Sequence, residues 1–367
     1  MKIIEVITFL GSGGAERFMV DLSNELSKEN EVFLITILDD KKDVEVRNFY
    51  RFAIDSKVHY VNLGLPNGLS FRSQTAVIKA INRIKPDVIH FHMIPTVKYC
   101  AMACALLSFK YKMYLTIHND LHNGYDKGFA KAIFKTLSYL KRLKLVCLSG
   151  KNYNDFSSYY PHAQIKCIAN GRSPIIPTNQ FDLVKNEVLS YRTNSESIVF
   201  LHIARCNKQK NQHLLIDAFN QLCIDYNIDL VVIGDGFDSK EGKELVSKSN
   251  REHIRFLGTR KNISDYILNA DIFCLSSDYE GMPITLLEAS LAGIPAVCTP
   301  VCGAVDLIKN GVNGFLSKDH SLKEYKAALI KAIENFDCIK SNAMKMKDNS
   351  PYTIAECAKK YIEYFNE

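Results

Sequence analysis

A chain of 367 residues exceeds the roughly 250–300 over which one hydrophobic core keeps growing, so two domains are expected rather than one. Its composition, 47% hydrophobic and 23% charged, excludes a disordered polymer, and no apolar run approaches the roughly 18–20 residues that a spanning helix needs. The net charge of +6 is uneven: residues 1–170 carry 23 basic against 15 acidic side chains, whereas residues 171–367 carry 23 against 25, so an anionic surface or partner is expected of the first half.

The amino terminus, Met1 to Gly11, has a short apolar run interrupted by Glu5, which argues against a secretory signal and for a first strand. From there short β-branched runs alternate with helical periods. Strands are expected near residues 2–8, 32–38, 87–91, 112–118, 145–149 and 165–168, with helices between them. Asn170-Gly171, followed by Pro174 and Pro177, supplies breaker chemistry and marks a linker. A second series follows, with strands near 198–203, 229–233, 254–257, 271–275 and 296–299. The pattern is α/β twice over: a first domain over 1–170, a second over 171–348, and a terminal helix over 349–367 packing toward the first. The ligand is expected in a cleft between them.

Eleven cysteines lie in apolar runs, as small buried hydrophobes do. Without a CxxC pair or a histidine at zinc spacing, no metal site is expected, and the cytosol is the expected compartment.

In parallel α/β sheets ligands bind beyond the carboxyl ends of strands, which directs attention to four loops. Gly11-Ser12-Gly13-Gly14-Ala15-Glu16 follows the first strand, and its glycines open the backbone N–H groups of a helix start to phosphate; it does not match GxGxxG, and a tight turn explains it equally well. His118 ends a later strand, as His90 and His92 end another, so position alone does not choose among the three. Arg205 and Lys210 bring two cations to one loop, suited to a diphosphate leaving group. Finally Glu280-Gly281-Met282-Pro283-Ile284-Thr285-Leu286-Leu287-Glu288 sets one carboxylate before a helix that Gly293 ends, a second carboxylate inside it, and free N–H groups between; Pro283 suits the first helical position.

Taken together these segments resemble the family 4 retaining glycosyltransferases of bacterial surface-polysaccharide synthesis, whose GT-B fold sets two Rossmann-like domains with parallel sheets facing across a cleft. The E-x7-E pair Glu280 and Glu288 is the most specific element. Gly13-Gly14-Ala15-Glu16, Arg205 with Lys210, Gly234-Asp235-Gly236, Phe256-Leu257-Gly258 and Asn310 to Phe315 support it in order and spacing.

The resemblance implies a metal-independent, cofactor-free enzyme that takes a nucleotide-diphosphate sugar, a UDP-linked hexose or N-acetylhexosamine, and passes the sugar to a lipid-linked glycan for capsule or O-antigen. Gly13 and Gly14 would meet the donor phosphate, His118 the donor sugar, and Arg205 and Lys210 the departing diphosphate. Glu280 would hold the transferred sugar and Glu288 the ribose. Gly281, Met282, Pro283, Thr285 and Leu286 would line the donor, and the backbone near Arg260 the nucleobase. Departures from the commoner pattern are Ala204 in place of a glycine, Asn119 in place of an aspartate, and Arg172-Ser173 after the linker Asn-Gly.

A sugar-nucleotide epimerase of the same layout is the main alternative. Nucleic-acid binding rests on charge alone and lacks interleaved aromatic residues. The segment from Gly128 to Lys144 reads as a basic amphipathic helix with Lys131, Lys135 and Arg142 on one side, suited to an anionic membrane face; a domain helix burying Ile133, Phe134 and Leu137 accounts for it as well.

Overall fold

The computed structural model describes residues 1–41, 47–68, 70–119 and 129–367, with backbone alone for 129–131. The chain forms two compact units, Met1–Ser173 with Tyr352–Glu367, and Pro174–Pro351.

The first unit is built on seven strands, β1 (Lys2–Ile7), β2 (Glu31–Leu38), β3 (His59–Leu65), β4 (Val88–His92), β5 (Lys112–Ile117), β6 (Lys144–Cys147) and β7 (Ile165–Cys167). They lie in the order β3-β2-β1-β4-β5-β6-β7 and every pair is parallel. The central strands are buried on both faces: every residue of β4 and all but the first of β1 are buried, the polar Glu5, His90 and His92 included. β3 was not expected from the sequence: at the edge of the sheet most of its residues are half-exposed, so no strong hydrophobic pattern marks it.

The second unit repeats the scheme with β8 (Ile198–Ile203), β9 (Ile228–Ile233), β10 (Ile254–Gly258), β11 (Ile272–Leu275), β12 (Ala296–Cys298) and β13 (Gly314–Leu316), in the order β10-β9-β8-β11-β12-β13. All its pairs are parallel. The three-residue β13 is too short to show a period and was also unexpected. In each sheet the strand order reverses beside the first strand, between β1 and β4 and between β8 and β11, and such a switch point opens a crevice for ligand at the strands' carboxyl ends.

The boundary expected at 170/171 falls instead at Ser173/Pro174. Arg172 bridges to Thr353 in β fashion, donating its N–H to the Tyr352 carbonyl at 3.0 Å and accepting from the Ile354 N–H at 3.0 Å. Its guanidinium, buried with Asp21 of the helix Gly14–Leu26, forms an ion pair with that carboxylate. The last helix, Ile354–Asn366, is thereby anchored to the first unit, where Tyr361 and Phe365 are fully buried.

The basic segment departs from expectation. Its helix spans Phe129–Tyr139, Lys141 takes a positive φ of 55°, and Lys144 already begins β6. Arg142 therefore does not share a helix face with Lys135, and the side chain of Lys131 lies outside the described residues. Phe134 and Leu137 point into the core while Lys135 is exposed. No helix among the described residues is long and apolar enough to cross a membrane.

Candidate active site

At the switch point of the second sheet, the loops after β8 and β11 are tied to each other. The Asp278 N–H donates to the Gln209 carbonyl at 2.8 Å, the Ser276 hydroxyl to the Lys210 carbonyl at 2.9 Å, and the Asn211 amide to the Asp278 carboxylate at 2.8 Å. This lattice holds Glu280, which is 7% exposed. The Lys210 ammonium pairs with its Oε1, and the Ser277 hydroxyl donates to the same oxygen at 2.8 Å. A buried carboxylate is tolerable only with such partners.

Arg205 stands exposed on the same loop, its carbonyl taken by the Gln212 amide at 2.9 Å. Across the loop after β9, Gly234 and Gly236 let the backbone close in: a Cβ at Gly234 would strike the Ala204 carbonyl, and the Cys206 N–H donates to the Asp235 carbonyl at 2.8 Å.

The helix Ile284–Ala292 has the expected range, but Pro283 is its N-cap rather than its first helical residue. Proline lacks a side-chain acceptor, so the first N–H groups carry no side-chain cap and remain a site for an anion. The Thr285 hydroxyl donates to the Ile203 carbonyl at 3.3 Å, which fixes that start beside β8. Glu288 is buried one turn on, and Gly293 at φ 77° ends the helix. Gly281 and Met282 are buried below it, where Gly303 is required because a Cβ would lie 2.6 Å from Met282 Cα. Arg260 is held by its side chain, donating to the Tyr266 hydroxyl at 3.1 Å and to the Leu257 carbonyl.

In the first unit, the helix Gly14–Leu26 starts at Gly14 with Gly13 as its N-cap, again without a side-chain cap. The Glu16 carboxylate folds back against this loop so closely that a Cβ at Gly13 would clash with it. That contact places an acid at a helix start, where the dipole favours it.

His118, half-buried after β5, is not alone. Its Nε2 lies 3.1 Å from Nδ1 of His92, whose Nε2 lies 2.6 Å from Glu5 Oε2. His90 Nδ1 approaches the same oxygen at 2.8 Å and its Nε2 meets the Thr116 hydroxyl at 2.7 Å. Register explains the cluster: Glu5 of β1 pairs with His90 of β4 and His92 with Thr116 of β5, and alternate residues share a face.

Burial would raise the Glu5 carboxyl, but the charge and hydrogen bonds of His90 and His92 outweigh it and bring the group down to about 2. Burial and then His90 push His92 down to about 4 against the pull of Glu5. Burial, with His92 and His90, keeps His118 well below the usual histidine range.

Glu5, His90 and His92 also bring three potential ligand atoms within 4.8 Å of one another, a grouping that sequence spacing did not reveal. The separations of 2.6 and 2.8 Å are hydrogen-bond lengths, whereas two ligands around a tetrahedral zinc sit about 3.3 Å apart.

Two switch-point loop systems, one with paired acid and cations beside an open helix start, are what a transferase handling a phosphorylated donor requires. Family models place the chain: Glycosyltransferase Family 4 matches residues 12–174 and Glycosyl transferases group 1 matches residues 186–350. The chain belongs to the family 4 glycosyltransferases and has their GT-B fold.

It is 27% identical over 349 residues to the Campylobacter jejuni GalNAc-alpha-(1->4)-GalNAc-alpha-(1->3)-diNAcBac-PP-undecaprenol alpha-1,4-N-acetyl-D-galactosaminyltransferase, covering 92% of this chain and 90% of the relative. It is 24% identical over 314 residues to the Escherichia coli UDP-Gal:alpha-D-GlcNAc-diphosphoundecaprenol alpha-1,3-galactosyltransferase, covering 81% and 78%. Among solved structures, Anabaena HepE in complex with UDP superposes with a TM-score of 0.80 at 20% identity over the whole of both chains. The epimerase alternative finds no support in these relatives.

Proposed function

We propose that this glycosyltransferase takes a UDP-linked hexose or N-acetylhexosamine and transfers the sugar, with retention at the anomeric carbon, to a hydroxyl of a lipid-linked glycan in surface-polysaccharide synthesis. The observation that carries this is the Lys210–Glu280 pair, held by Ser277 beside the uncapped start of Ile284–Ala292. Glu280 presents a fixed acceptor for sugar hydroxyls, the helix start and Arg205 take the diphosphate, and Glu288 takes the ribose. The backbone near Arg260 meets the base.

From the first unit, Gly13 and Gly14 meet the donor phosphate and His118 meets the transferred sugar. Fixed cations and a helix start stabilise the leaving diphosphate, so no metal is required. The relatives' undecaprenol-linked acceptors and the UDP bound by HepE support the substrate class.

A lipid-linked acceptor calls for a membrane-facing surface. The exposed side chains Leu106, Phe109, Tyr139 and Leu140 lie around Lys110, Lys135 and Arg142, with the Arg142 guanidinium 4.6 Å over the Phe109 ring. We propose that this patch rests on anionic lipid on the inner face of the cytoplasmic membrane.

Purified protein incubated with a panel of nucleotide sugars, with and without EDTA, tests the reaction through nucleotide release and product anomer. One UDP-sugar should be consumed equally with EDTA present. Arg205→Ala and Glu280→Gln should each lower transfer about 100-fold or more with the fold intact by circular dichroism. Near-normal turnover in either variant, or a strict need for manganese, overturns the assignment.

A further inference from the structure

His118, His92 and Glu5 form one hydrogen-bonded line, and its chemistry leaves little freedom. A carboxylate only accepts, and a neutral imidazole has one donor and one acceptor nitrogen. Glu5 Oε2, 2.6 Å from His92 Nε2, therefore takes that nitrogen's proton as a hydrogen bond and leaves His92 Nδ1 with a lone pair. His118 Nε2, 3.1 Å from that lone pair, must be its donor. His118 Nδ1 is then the acceptor nitrogen.

Beside this line His90 Nδ1 lies 2.8 Å from the same Glu5 oxygen, at ion-pair distance, while its Nε2 shares a 2.7 Å hydrogen bond with the Thr116 hydroxyl, which meets the Tyr361 hydroxyl at 2.8 Å. All of Glu5, His90, His92, Thr116 and Tyr361 are fully buried. Phe18, its ring centroid 5.8 Å from that of His118 and 6.1 Å from that of His92, closes the side of the cluster. A fully buried carboxylate joined to two imidazoles is costly to place in a sheet core, and hydrophobic residues would fill β1 and β4 without that penalty.

We propose that Glu5 and His92 are positioning residues that lock His118 in the neutral Nε2–H tautomer, so that its Nδ1 accepts a hydrogen bond from a hydroxyl of the transferred sugar. This rests on the assignment of His118 to the donor sugar given above. The protein thus fixes in advance which sugar hydroxyl can be recognised there: one that donates, in a direction set by three strands. Glu5 acts on the substrate through His92 and His118, as the buried acid of a catalytic triad acts through its histidine.

Long-range proton–nitrogen correlation on protein labelled with 15N-histidine reads the tautomers directly, without any variant. At pH 7, His92 and His118 should both be neutral with the proton on Nε2. A protonated Nδ1 on His118, an imidazolium at either position, or stoichiometric zinc in the purified protein overturns the proposal.

Kinetics supply the second test. His92→Phe should lower kcat/KM about 10–100-fold and release the His118 tautomer, while His92→Asn, whose Oδ1 takes the place of Nδ1, should restore most of the activity. Equal losses in the two variants at equal melting temperature would reduce His92 to a packing role and overturn the proposal. Should no nucleotide sugar be consumed by the wild type, the functional assignment fails while the tautomer spectrum still decides this one.

Discussion

His92 is held neutral between a carboxylate and a second imidazole, and that has a consequence for acid stability. Its folded value of about 4 lies below the ordinary histidine value of 6.5, so the unfolded chain binds a proton first as pH falls. Stability from this group is complete above about 6.5 and is lost as pH drops toward 4; the sum is on the order of 3 kcal/mol. His118, also depressed, acts in the same sense, and Glu5 adds a further loss only below the ordinary carboxylate value. His90 and Tyr361 face the same cluster. Melting curves between pH 7.5 and 4.5 should therefore fall steeply, and His92→Asn should flatten them. An unchanged slope in that variant would assign the acid sensitivity elsewhere.

Among the elements, the stretch that ends the first unit's main segment is held by a buried ion pair. Arg172, which departs from the family's linker pattern, is paired with Asp21 where water does not reach, and Arg17 Nε adds a contact to the same carboxylate at 3.3 Å. Arg172→Ala leaves Asp21 buried beside a half-exposed arginine and should cost about 3–5 kcal/mol, measured by urea denaturation. A loss under 1 kcal/mol would mean that water replaces the guanidinium there.

Elements differ in how plainly the sequence announces them. Most of the eleven expected strands are apolar runs buried in a sheet, and the Glu280–Glu288 segment shows itself because a proline, a glycine and two acids sit at helix-specific spacing. β3 gives little sign, being a half-exposed edge. Glu5 looks only like an interruption in an apolar run, since its partners His90 and His92 are 85 and 87 positions away and only strand register brings them together. The helix after Gly128 looks too long because Leu140 and Leu143 continue its apolar period, while the positive φ at Lys141, which ends it, has no glycine to mark it.

At the scale of the whole molecule, charge and exposed apolar surface coincide in the first unit. The excess of basic residues in 1–170 and the patch around Phe109 and Arg142 should produce flotation with vesicles containing about 30% anionic lipid at low salt. Binding should fall at 1 M salt, where the screening length is about 3 Å. Phe109→Asp with Arg142→Glu should abolish it without changing turnover on a soluble acceptor. Salt-insensitive flotation, or none, would remove the membrane role.

The last helix, Ile354–Asn366, completes a sheet whose first strand begins at Lys2. During synthesis the strands of the second unit all emerge before it, so that unit can close while the first still lacks Tyr361, Tyr364 and Phe365 against β5. The first unit is thus completed by a segment made after the whole second unit, unlike a domain that closes as soon as it emerges. A chain cut between Pro351 and Tyr361 would carry the whole second unit joined to a first unit in which Thr116 lacks the Tyr361 hydroxyl.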